Sequence, residues 1–130
     1  MKKYEIAGTP KTPEVLFNPK TGELILKGRS VHENSDRFYT PIFEMLDTYS
    51  KDPASSTTAT FELEYFNTSS AKYILDIIKK LEEISLSGNK VEVRWIYEEG
   101  DLDMEEAGRD YADLVDLEVQ VLQQGSVNKK

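Results

Sequence analysis

The sequence predicts an α/β fold: one domain, a mixed β-sheet with helices packed on it, in the order β-hairpin, α, β, α, β, α, β. Three observations lead there. Short runs of alternating apolar residues recur along the chain, the period-2 signature of half-buried strands. Between them lie segments with apolar residues at i, i+3, i+4 and i+7, the spacing of one helical face. The length, 130 residues, suits a single domain with one self-sufficient core. Strands joined by helices need crossover connections, hence parallel strand pairs with helices laid on the sheet.

Taken in order, residues 4–7 read as a short strand, and Val15, Leu16 and Phe17 as a longer one. Asn18-Pro19-Lys20-Thr21-Gly22 then supplies turn residues before Leu24-Ile25-Leu26 resumes the apolar pattern, which makes a hairpin with a five-residue loop. Residues 28–36 are polar and read as a loop. Ile42, Met45, Leu46 and Tyr49 form a helical stripe, with Thr40 as cap and Pro41 in the first turn, where a missing N–H costs nothing. Residues 50–60 read as loop by composition. Phe61, Leu63 and Tyr65 alternate with polar neighbours as a strand that runs into Phe66-Asn67-Thr68-Ser69-Ser70. A strong helix follows, with Ile74, Ile77, Ile78, Leu81 and Ile84 as its stripe and Gly88 as its stop. Val91, Val93, Trp95 and Tyr97 give another strand, and Met104, Ala107, Tyr111 and Leu114 mark a third helix. Leu117, Val119 and Val121 end the sheet. The domain is expected to span residues 1–124, with residues 125–130 as a frayed tail.

Composition excludes several classes of function. There is no Cys and a single His, which removes disulfides, thiol catalysis and Cys-ligated metal centres. No apolar run approaches the roughly 20 residues of a membrane span, and no apolar stretch follows the charged start, so neither a signal peptide nor a membrane anchor is expected. A cytoplasmic location is the corresponding expectation. Net charge is −8 and uneven: residues 98–118 hold ten acidic side chains against one cation, Arg109. Such a surface repels nucleic acid and anionic lipid, so neither is expected as a partner.

Catalytic motifs are sparse. Asp101, Asp103 and Glu105 resemble the start of a calcium loop, yet Glu106 and Ala112 stand where that loop needs its glycine and its closing glutamate. A solvated helix whose early acids complement its dipole accounts for them, and no metal site is expected. His32 in a polar segment has no positioned nucleophile to serve as a general base. Glycine-rich phosphate loops and nucleophile elbows are absent. No catalytic residue and no cofactor are expected.

The strand–Asn67-Thr68-Ser69-Ser70–helix junction is more informative. Three hydroxyls and an amide stand where free backbone N–H groups and the positive end of a helix dipole concentrate. Capping explains one of the four. An anion site, or a hydroxyl that is itself phosphorylated, would use the rest, because a phosphate adds nearly two negative charges to a place that stabilises them.

Gly28-Arg29-Ser30, Glu33-Asn34, Phe38-Tyr39 and Pro41-Ile42, followed by Tyr65-Phe66-Asn67-Thr68-Ser69-Ser70-Ala71-Lys72, resemble the SiaC family of bacterial regulatory phosphoproteins. Val91-Glu92-Val93-Arg94-Trp95-Ile96-Tyr97, then Asp101, Met104, Glu105, Gly108 and Tyr111, continue the likeness. Val31, His32 and Met45 depart from the family pattern. The resemblance implies a fold akin to anti-sigma-factor antagonists and a role as a non-enzymatic switch. It further implies that Thr68 is phosphorylated by a dedicated kinase and freed by a PP2C-type phosphatase. The unphosphorylated form would bind and activate a diguanylate cyclase, raising cyclic di-GMP and promoting aggregation or biofilm growth. Asn67, Ser69, Ser70 and Lys72, with Asn34, Phe38 and Tyr39, are the expected docking surface around Thr68. The alternative on the same fold is an anti-sigma-factor antagonist in a partner-switching pathway.

Overall fold

In the computed structural model, which describes residues 2–125, six strands form one sheet in chain order. The strands are β1 (Tyr4–Ile6), β2 (Glu14–Asn18), β3 (Glu23–Ser30), β4 (Ser56–Phe66), β5 (Lys90–Tyr97) and β6 (Val119–Gln123). The helices are α1 (Ser35–Ser50), α2 (Thr68–Leu86) and α3 (Leu102–Asp113), each lying between two successive strands. β1, β2 and β3 pair antiparallel, and β3 through β6 pair parallel. The predicted mixed sheet and element order are therefore the observed ones. Crossovers of one hand between neighbouring parallel strands put all three helices on the same face. One apolar cluster joins Val15, Phe17, Leu24, Leu26, Phe61 and Trp95 to the buried stripes of the three helices.

Several boundaries differ from the sequence reading, among them Leu114, which lies just past the end of α3, and Leu117, which lies before β6. β3 extends through Gly28 to Ser30, so the segment taken as loop begins as strand. α1 starts at Ser35, capped by Asn34, whose side chain accepts the Arg37 N–H at 3.1 Å. Thr40 is therefore not the cap, and Pro41 lies inside the helix. A proline there removes the partner of the Arg37 carbonyl. Both residues are exposed, so water can take that carbonyl, while Ser35, Tyr39, Ile42, Leu46 and Tyr49 keep the buried stripe intact. β4 begins at Ser56 rather than at the first aromatic. Thr57 is buried there, 2.8 Å from the Tyr49 hydroxyl and donating to Asn89 Oδ1 at 3.0 Å, so a polar β-branched residue serves as a core strand position. The hairpin turn is tighter than expected, since Asn18 still pairs with Glu23. The reading of a tail concerns residues that, beyond Gly125, lie outside those described.

The third helix confirms the reading of the acidic segment. Asp101 is its cap and accepts the Met104 N–H at 3.0 Å, with Asp103 and Glu105 in the first turn. Those acids complement the helix dipole. The helix lies against β5 so closely that the Trp95 indole N–H donates to the Met104 carbonyl at 2.9 Å. Gly108 makes that approach possible: a Cβ there would come within 2.8 Å of Trp95 Cγ and Nε1. Gly108→Ala should therefore cost about 2–3 kcal/mol, read as a fall in the midpoint of chemical denaturation.

Candidate functional site

The amino ends of α1, α2 and α3 all follow the carboxyl ends of parallel strands, and they gather at one edge of the sheet. This edge is where open α/β sheets place their ligand sites. β4 reaches it through a register shift opposite Gly28 and Arg29, and the strand leaves Tyr65 exposed and Phe66 against Trp95 and Tyr111. Arg29 stacks on the Tyr65 ring at 5.6 Å.

Asn67 is the pivot of the junction. Its N–H donates to the Ser30 carbonyl at 3.0 Å, which fastens the start of α2 to the end of β3. Its side chain caps the helix, accepting the Ser70 N–H at 2.9 Å and the Ser69 hydroxyl at 3.1 Å. The Ser70 hydroxyl donates to the Ser30 carbonyl at 2.9 Å and accepts from the Ser30 hydroxyl at 2.8 Å. Because the single Ser30 hydroxyl proton is spent on Ser70, Tyr39 donates in its contact with Ser30 at 2.7 Å. Ser35, the first residue of α1, lies 2.9 Å from the Ser69 hydroxyl and donates to the His32 carbonyl at 3.3 Å. Hydroxyls from β3, α1 and α2 are thus interlocked beneath one surface.

Thr68 stands apart. It is the first residue of α2 and exposed, and its side chain makes no hydrogen bond among the described residues. Of the four consecutive polar residues, Asn67 caps, Ser69 donates to Asn67, and Ser70 is buried in the network. Only the Thr68 hydroxyl is uncommitted. It sits at the positive end of a 19-residue helix, where a phosphate would be stabilised by the dipole and the free first-turn N–H groups. Lys72 follows one turn later, exposed, with its ammonium 5.7 Å over the Tyr73 ring.

The other expected docking residues divide by burial. Asn34 is exposed beside Ser35, and Phe38 is half-buried, edge-on to Tyr39 at 4.9 Å. Tyr39 and Ser70 are each 0% exposed. They hold the surface from beneath and are not part of its contact area. Tyr39 is covered because its ring stacks on Tyr73 at 5.5 Å while its hydroxyl is spent on Ser30. Sequence reasoning missed Ser30, Ser35 and Tyr73, the last of which donates to Asp36 at 3.0 Å. A helix start at Asn34, signalled by Asn before Ser-Asp, would have found Ser35.

Burial pushes the Tyr39 phenol up to about 12, against the opposing pull of its Ser30 and Ser70 hydrogen bonds. Burial also raises Tyr111, which donates to the Ala71 carbonyl at 2.8 Å and so ties α3 to the first turns of α2. Unfolded tyrosines ionise near 10, so above that pH the folded state retains protons that the unfolded chain releases. These two groups contribute their full stability below pH 10, and it declines as pH rises towards 12. Denaturation midpoints measured from pH 8 to 12 should fall above pH 10, and less steeply in Tyr39→Phe.

Four matches bear on identity. In the crystal structure of the diguanylate cyclase SiaD in complex with its activator SiaC from Pseudomonas aeruginosa, a chain superposes with a TM-score of 0.87 at 26% identity, over 93% of this chain and 99% of that one. Apo-SiaC from the same organism superposes with a TM-score of 0.84 at 24% identity, over 94% and 99%. An uncharacterised protein of Pseudomonas aeruginosa strain UCBPP-PA14 is 32% identical over 98 residues, 75% of this chain and 78% of that protein. The sequence model of the SiaC family regulatory phosphoproteins matches residues 6–124. With a fold, a junction and a family match that agree over nearly the whole chain, the protein belongs to the SiaC family of regulatory phosphoproteins and is a regulator, not an enzyme.

Proposed function

We propose that this chain is a phosphorylation-controlled binding switch acting in the bacterial cytoplasm. Unphosphorylated, it binds and activates a diguanylate cyclase, raising cyclic di-GMP and favouring aggregation or biofilm growth. A partner kinase phosphorylates Thr68 and blocks docking, and a PP2C-type phosphatase restores it. The observation that carries this reading is the Thr68 hydroxyl, exposed and uncommitted at the first position of α2 while its three polar neighbours are engaged. The complex of SiaC with SiaD supports a cyclase as partner in preference to an anti-sigma factor.

The docking surface is Thr68 with Asn67, Ser69, Lys72 and Asn34, flanked by Phe38. Tyr39 and Ser70 fix its shape. Phosphorylation acts there in two ways. It adds nearly two charges and bulk at the centre of the contact, and the helix end that stabilises the phosphate in the free protein gives no such help to a partner that must desolvate it. About 1.4 kcal/mol of differential affinity already changes binding tenfold, so one modification is enough to move such a switch.

Binding to the purified cyclase of the same organism, measured by calorimetry, tests the reading. Thr68→Ala should bind within about threefold of the unmodified chain and accept no phosphate, and Thr68→Glu should bind at least about tenfold more weakly. Equal affinity of the two variants would contradict the mechanism.

A further inference from the structure

β4 carries one residue more than β3 where the two strands approach Thr68. Gly28 pairs with Leu63 and Arg29 with Tyr65, so Glu64 is left without a facing residue, as in a β-bulge. Gly28 sits at that shift with φ +119°, a conformation that glycine adopts at little cost. The consequence falls on side-chain direction. Phe61 and Leu63 are buried in the core, and unbroken alternation would send Tyr65 after them. With the extra residue, Phe66 takes the inward place, its ring 6.1 Å from Trp95 and 6.3 Å from Tyr111. Tyr65 is turned out and 52% exposed, the one aromatic among the large apolar side chains left exposed in the described residues.

Arg29 completes the feature. It alternates with the buried Leu26 and Ser30 row of β3 and so points to the sheet face that carries no helix. Its guanidinium lies over the Tyr65 ring, 5.6 Å from the centroid. Among the described residues it has no carboxylate partner, whereas Arg94 and Arg109 are engaged by Glu92 and Glu105. In a chain of net charge −8, a guanidinium held in place by a ring and not by an acid is open to one from outside. The pair also adjoins Thr68 through the backbone. Tyr65 stands two residues before Asn67. Arg29 is next to Ser30, whose carbonyl accepts the Asn67 N–H at 3.0 Å. Tyr and Arg are among the side chains that most often dominate a protein interface.

We infer that Tyr65 and Arg29 are the anchor by which the protein partner at Thr68 is recognised. The partner sets a carboxylate on the Arg29 guanidinium and an apolar side chain against the Tyr65 ring. The inference rests on the proposed docking of a cyclase at Thr68 and extends that surface onto the helix-free face of the sheet. Two observations choose the occupant. Continuity with Asn67 and Thr68 selects the partner that docks there, and the unpaired guanidinium selects an acidic group on it. The bulge then has a function: it turns an aromatic out of the core at the one place where β4 meets the switch.

Calorimetric titration of full-length variants against the purified cyclase of the same organism tests it, with Thr68→Glu in the series to read the switch separately. Arg29→Gln and Tyr65→Ser, both altered on the surface, should keep their melting temperatures and each bind at least about thirtyfold more weakly, the range of an interface hot spot. Tyr65→Phe keeps the ring and should bind within about threefold of the unmodified chain. Arg29→Glu should bind at least about tenfold more weakly than Arg29→Gln, because like charge then faces the partner's carboxylate. If Thr68→Glu weakens binding while Arg29→Gln and Tyr65→Ser bind as tightly as the unmodified chain, the inference falls and the switch stands. If the unmodified chain does not bind the cyclase, both fall. Equal affinities of Arg29→Gln and Arg29→Glu would overturn the acidic occupant. A homodimer of the chain alone in sedimentation, dissociated by Tyr65→Ser, would give the anchor to a second copy and overturn the inference.

Discussion

The bond from the Asn67 N–H to the Ser30 carbonyl is the constraint on which the rest of the site depends. It fastens the point where β4 becomes α2 to the end of the neighbouring parallel strand. With the strand ends fixed, Ser70 falls beneath the surface within reach of both Ser30 oxygens, and Tyr39 of α1 closes the network from the other side. Buried hydroxyls left unpaired would each cost about 1–3 kcal/mol, so the arrangement is close to all-or-none. Its consequence is positional: three of four adjacent polar residues are consumed by structure, and the remaining one is presented to solvent at a helix pole.

The fold was legible in the sequence where apolar periodicity is strong. Strands β2 and β5, the second half of β4 and helices α2 and α3 follow from the alternation or the stripe alone. Legibility failed where polar residues do the structural work. Ser30 and Ser35 belong to a strand and a helix but look like loop, because Ser30 is paired with the Ser70 hydroxyl 40 residues away and Ser35 is buried where α1 meets the start of α2. Thr57 failed for the same reason. Pro41 misled more directly, since a proline is an N-terminal signal only when nothing before it can cap, and Asn34 can. At the site, the polar run from Asn67 to Ser70 stood out by residue type, and the family resemblance alone singled out Thr68, whereas the burial of Tyr39 and Ser70 was not legible. An aromatic beside another aromatic, or a serine beside a serine, carries no information on which of the pair faces the core.

The sheet also sorts the chain's electrostatics. Parallel strands joined by helices on one face make every helix start at one edge and end at the other, so the topology itself separates positive and negative poles. At the amino edge the poles are met by Asn34, Asn67 and Asp101 as caps, and a phosphate on Thr68 would be one more negative group at such a pole. At the carboxyl edge Lys51 follows α1 and Lys80 pairs with Glu83 of α2 at 3.5 Å. The polarity of a single layer of helices thus gives the domain two electrostatically distinct ends.

Site-resolved phosphopeptide mass spectrometry on protein isolated from its native cells tests the central claim most directly, with fragment ions that separate Thr68 from Ser69 and Ser70. The account predicts phosphate on Thr68 alone, in an amount that changes with growth condition, because Ser69 and Ser70 must break existing hydrogen bonds to accept it. Phosphate on Ser69 or Ser70 with Thr68 unmodified would contradict it.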